Sequence, residues 1–128
     1  MTTETRLYRL DIHEDVAIQL LEWMSALGDI LPATEARPPF NYDDPDNHRL
    51  LGFTSAVAEV LRGGGFAVGV FSRRRRFLLT IDEAMCLMLH AVNAPIGVMQ
   101  VTGDADESFV KMCHAVRHAL LKEMKRHA

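Results

Sequence analysis

The residue types able to do chemistry in this chain fall into three small groups. Cys86 and His90 stand four apart, and so do His114 and His118. On a helix each pair shares one face, and four such ligands would suit a tetrahedral zinc ion. The second pair has the histidine spacing of a zinc protease, but Ala115 occupies the place of the catalytic glutamate. Cys86 with His90 is the only workable thiol–imidazole couple. Cys113 and His114 are adjacent, and adjacent helical residues point about 100° apart. No Gly-x-Ser-x-Gly elbow and no Cys-x-x-Cys occurs in the sequence. All four candidate ligands fall on or beside polar helix stripes, which a solvated face explains. We therefore expect no metal and no cofactor, and keep Cys86, His90, His114 and His118 as the residues a metal would use.

The second group is glycine-rich. Gly63-Gly64-Gly65 stands where a helix ends and a strand begins, the reverse of a phosphate-binding loop, and no Lys-Ser or Lys-Thr follows it. Gly103 has the right order, strand then helix, but leads into Asp104, Asp106 and Glu107, which would repel a phosphate.

The third group is the strongest anomaly. Arg73, Arg74, Arg75 and Arg76 are consecutive in a chain of net charge −3. Four guanidinium groups at one turn repel one another unless something anionic meets them. Asp43, Asp44 and Asp46 could supply that charge internally. An acidic protein surface or a nucleic-acid backbone could supply it from outside, since the planar guanidinium fork suits carboxylate and phosphate alike. Base stacking would have Phe71 and Phe77 at the edges of the run to draw on.

The elements that must position these residues are read from periodicity and punctuation. Three capping boxes, Asp11 to Glu14, Thr80 to Glu83 and Asp104 to Glu107, each open an apolar stretch of helical spacing. A strand is expected over Thr5–Leu10. A helix follows over Ile12–Leu27 with Val16, Leu20, Trp23 and Leu27 inward, ending at Gly28. Residues 29–44 form a proline-rich connector carrying Phe40 and Tyr42. Asp44-Pro45 starts a second helix that runs to Arg62 through Gly52. Phe66–Phe71 and Phe77–Leu79 read as strands joined by the arginine run. A third helix spans Ile81–Ala94, its polar Asp82, Cys86, His90 and Asn93 forming a wet stripe, and Pro95 stops it. Ile96–Thr102 reads as a strand, pairing in parallel with Phe66–Phe71. The last helix covers Ala105–Arg126, with Phe109, Cys113, Val116, Leu120 and Met124 inward. Its closing Lys122, Lys125, Arg126 and His127 suit the negative end of the helix dipole.

These elements make an α+β fold: one domain, a small mixed sheet of three to four strands, and about four helices. A hydrophobic share of 48% and a charged share of 24% exclude a disordered chain. No run is long enough to span a membrane, and no export signal is visible, so a cytoplasmic protein with Cys86 and Cys113 as free, buried or half-buried thiols is expected. The absence of a catalytic constellation favours a non-enzymatic regulatory protein, of bacterial or phage type, that binds an acidic protein surface. Arg73, Arg74, Arg75 and Arg76 would make the contact, with Phe40 and Tyr42 of the proline-rich loop. Nucleic-acid binding through the same arginines, and a Cys/His metal or thiol protein, are the two competing classes. Met85 and Met88 are assigned to the core, with a homodimer seam as their other use.

Overall fold

The structure, a computed structural model, describes residues 7–34, 49–102 and 107–128, with 30–34 and 94–102 described by their helical path. Among these the order is β1 (Tyr8–His13), α1 (Glu14–Thr34), α2 (Thr54–Arg62), β2 (Phe66–Ala67), β3 (Arg74–Leu79), α3 (Ile81–Thr102) and α4 (Glu107–His127). The α+β class is as expected. The sheet is antiparallel, in the order β1-β3-β2. Tyr8 pairs with Leu79, Leu10 with Phe77, Asp11 with Arg76 and His13 with Arg74. Alternation along β1 and β3 sends Leu10, Ile12, Phe77 and Leu79 into the core. The same alternation puts Arg9, Asp11, His13, Arg74 and Arg76 on the outer face. Leu20, Met24, Leu87, Met112 and Leu120 complete the core from the helices.

The helices expected from periodicity are present, but several of their ends are not where punctuation put them. β1 runs on to His13, so Asp11 is a strand residue and not a helix cap. His13 takes that role, its Nδ1 accepting from the Asp15 N–H at 3.1 Å. Ile12 fits the inward positions of a strand as well as those of a helix, and pairing with β3 decides between them. The box at Thr80 forms in full: Thr80 N–H donates to Glu83 Oε1 at 2.8 Å, and Glu83 N–H to Thr80 Oγ1 at 3.2 Å. The box at Asp104, the Asp44-Pro45 start, Phe40 and Tyr42 lie outside the described residues.

Neither Gly28 nor Pro95 stops its helix. A Cβ on Gly28 would stand 3.1 Å from Ser55 Oγ, so this glycine lets α2 approach α1. Gly52 was expected inside a helix. It lies instead in a tight turn between a helical turn at 49–51 and the start of α2, its N–H donating to Arg49 O at 3.2 Å. α3 passes through Pro95 to Thr102, so the strand expected at Ile96–Thr102 and its parallel pairing with Phe66–Phe71 are not formed. A short apolar run fits a buried strand and a buried helix equally, and here the continuing helix wins. The expected strand Phe66–Phe71 shrinks to Phe66–Ala67, and β3 begins within the arginine run.

Candidate functional site

The arginine run is therefore a strand more than a turn. Arg73 closes the β2–β3 hairpin, and Arg74, Arg75 and Arg76 alternate along β3. Pairing with β1 then decides what each guanidinium meets. Arg76 lies opposite Asp11 and binds it through two bonds, Nε to Oδ1 at 2.7 Å and Nη2 to Oδ2 at 2.8 Å. Those bonds hold the Asp11 carboxyl below the usual aspartate range. Arg75 points to the other face and donates to the carbonyls of Gly64 and Gly65, both at 2.9 Å. Arg73 Nε donates to Glu14 Oε1 at 2.6 Å. Arg74 is exposed, and its side chain has no hydrogen-bond or ion-pair partner among the described residues. The chain itself thus engages three of the four arginines that the sequence marked as a binding cluster. Phe77 is 2% exposed and belongs to the core, so it is unavailable for stacking, whereas Phe71 at the hairpin tip is 98% exposed.

Arg74 and Arg76 open onto a groove of about 850 Å³ between the outer face of β1 and the side of α4. Its walls hold Arg9, Arg74, Arg76, Lys122, Lys125 and Arg126 against the carboxylates of Asp11 and Glu123. Both carboxylates are already committed. Glu123, 5% exposed, accepts from the Arg9 N–H at 2.8 Å and from Arg126 Nε and Nη2, each at 2.8 Å. The Arg126 bonds, more than the others, hold its carboxyl far below the usual glutamate range against the pull of burial. Lys122 and Lys125 are exposed on the helix side and have no ion-pair partner among the described residues. The groove is thus a concave surface with positive charge left over, carried by residues from three elements. Sequence reading explained Lys122 and Lys125 by the helix dipole and gave no role to Arg9. For the two lysines the signal available in sequence is their place on the same helical turn as Glu123, a carboxylate next to the inward stripe of α4; Arg9, on β1, carries none.

The candidate metal ligands are not brought together. His114 and His118 are exposed on α4. Cys86 and His90 are both fully buried, so the middle of the stripe expected to be wet is a polar seam inside the core, while Asp82 and Asn93 at its ends are half-buried. Thr54 of α2 explains it. Its hydroxyl donates to Leu51 O at 2.8 Å, so the oxygen is left to accept from His90 Nε2 at 2.9 Å, and Cys86 Sγ lies 3.5 Å from it. Burial pushes the Cys86 thiol up to about 11 and lowers His90 to about 4. A thiol this hard to ionise beside a neutral imidazole is a poor nucleophile and a poor ligand. Cys113 is also a free, buried thiol, pushed up to about 12. No group of three or more metal-ligating side chains forms among the described residues.

Fold and groove together define a small α+β protein with one polar, basic face. Comparison with protein-family models, with curated proteins and with solved structures finds no match for this chain. Among the described residues no helix is long and apolar enough to cross a membrane.

Proposed function

We propose that the chain is a non-enzymatic binding protein that captures an acidic partner protein, with the groove between β1 and α4 as its contact surface. One observation carries the reading. Among the described residues Arg74, Lys122 and Lys125 line one concavity with no carboxylate to meet them, while the two carboxylates that line it, Asp11 and Glu123, are already paired with arginine; Asp43, Asp44 and Asp46 lie outside the described residues. The excess charge is local, because the whole chain carries a net −3. A nucleic-acid binder usually spreads its basic surface over the domain and offers aromatic faces for bases. Here the exposed aromatic side chains next to the arginines are Phe71, at the hairpin tip, and Phe66, opposite Arg76 in the ladder, and neither lines the groove. An exposed phenylalanine beside arginine is also the composition of a protein–protein contact.

The test is capture from native lysate by the wild-type chain and by a variant carrying Arg74→Glu, Lys122→Glu and Lys125→Glu, with bound protein and bound nucleic acid both identified. An acidic protein held by the wild type and lost by the variant, at unchanged melting temperature, supports the reading. Recovery of nucleic acid, with affinity falling log-linearly in salt, would replace it with phosphate binding.

A further inference from the structure

We infer that the groove takes its acidic partner as an extended peptide, added to the sheet as a new strand along β1. The inference rests on the acidic-partner reading above and says how that partner is held.

Among the described residues β1 is an edge strand, because the sheet order is β1-β3-β2. In an antiparallel ladder successive residues turn their N–H and C=O alternately toward the neighbour and away from it. Glu14 N–H donates to Arg73 O, which fixes the phase: Leu10, Ile12 and Glu14 face β3, and Arg9, Asp11 and the His13 N–H face outward, the His13 C=O belonging to the first turn of α1. The Arg9 N–H is satisfied by Glu123 at 2.8 Å. Beyond that point the edge continues past Asp11 to His13, and both residues line the groove. On the α4 side the groove is lined at Ala115 and Ala119, whose side chains are single methyl groups, and at His118. Small side chains opposite an edge strand leave room for backbone, and a cavity of about 850 Å³ lies there.

Strand addition draws affinity from main-chain hydrogen bonds and specificity from alternate side chains. A three-residue stretch of edge is about 10 Å long at roughly 3.3 Å per residue, so the added strand is short. Short pairing needs support from charge, and the groove provides it on both sides. Arg74 lies on the sheet side, and Lys122 and Lys125 lie on the helix side. A chain with carboxylates at alternate positions presents one set of them to these cations while its backbone pairs with Asp11 and His13. A nucleic acid would use the same cations but has no backbone N–H and C=O ladder to offer the strand.

The test uses the intact, ¹⁵N-labelled chain and an acetylated hexapeptide with glutamate at alternate positions and threonine between. The expected result is binding in which amide exchange at Asp11 and His13 slows at least tenfold. Methylating the peptide's backbone nitrogens at alternate positions should weaken binding at least tenfold, with no change to the protein. Filling the groove by Ala119→Leu should do the same. A methylated peptide that binds as well as its parent, with no added protection at Asp11 and His13, overturns strand addition. If Arg74→Glu still weakens that binding, the acidic-partner reading survives. Binding of a single-stranded oligonucleotide in place of the peptide would overturn both, and binding of neither would overturn strand addition.

Discussion

Cys86 and His90 show how a thiol–imidazole couple that is possible in sequence can be structural in the fold, where Thr54 joins them. Thr54 is the centre: one hydroxyl gives its proton to Leu51 O and receives the imidazole N–H. Thr54→Val keeps the shape and removes the acceptor, leaving a buried N–H without it. The expected cost is about 1–3 kcal/mol by urea unfolding, with Thr54→Ser far milder. His90 adds a pH dependence of definite sign. Burial lowers its folded value from 6.5 to about 4, so between those values the unfolded chain binds a proton that the folded chain refuses. Stability is complete above about pH 6.5 and declines as pH falls toward 4, by about 3 kcal/mol if the whole shift is realised. His90→Leu should flatten that decline in an unfolding series from pH 7 to pH 4. The pairing of Cys86 with His90 was legible, because i,i+4 spacing fixes a shared face. Which way that face pointed was not, because the answer lies in a threonine on another helix.

At the scale of elements, local chemistry predicted where α3 begins and missed where α1 and α3 end. Thr80 and Glu83 satisfy each other's first-turn groups without help from the rest of the fold, so the box can be read from sequence. Thr80→Ala should cost about 1 kcal/mol in unfolding free energy. Gly28 and Pro95 are stop signals that tertiary structure overrides. Gly28 serves the approach of Ser55, and Pro95 falls within a helix of 22 residues. Gly65 is the opposite case, where backbone geometry leaves no choice. Its φ is +59°, and a Cβ there would stand 2.4 Å from Arg76 O. Gly65→Ala should therefore displace β2 from β3 and lower the melting temperature, whereas Gly64→Ala, at φ +83° with nothing within 4 Å, should cost less. The arginine run was misplaced for a related reason. Four like charges in sequence read as a turn, but alternation along β3 sends Arg75 to one face and Arg74 and Arg76 to the other. The ladder with β1 then supplies Asp11.

At the scale of the molecule, Glu123 ties the two walls of the groove together. α4 packs beside the edge strand, and this one carboxylate bonds the backbone of β1, the Arg9 side chain and Arg126 in its own helix. His127, one turn on, also reaches it at 3.1 Å and stacks on Tyr8 with ring centroids 4.1 Å apart. The folded value is held far below the ordinary 4.5, so this contribution is complete above about pH 4.5. It is lost as acid protonates the folded carboxylate at lower pH. The chain should thus lose stability in two stages on acidification, the His90 stage above about pH 4 and the Glu123 stage below it. Glu123→Gln keeps an acceptor for the Arg9 N–H and removes the charge. We expect it to cost about 1–3 kcal/mol at neutral pH, held to that range because Arg9 and Arg126 can turn to solvent. The same variant should shrink the lower stage to the part carried by Asp11, whose carboxyl Arg76 also holds low, and leave the upper one. Amide exchange at Arg9 should quicken while the core amides of Leu20 and Leu87 hold. A variant that unfolds globally at pH 7 would place Glu123 in the core of the fold, and one that leaves Arg9 exchange unchanged would detach it from the groove.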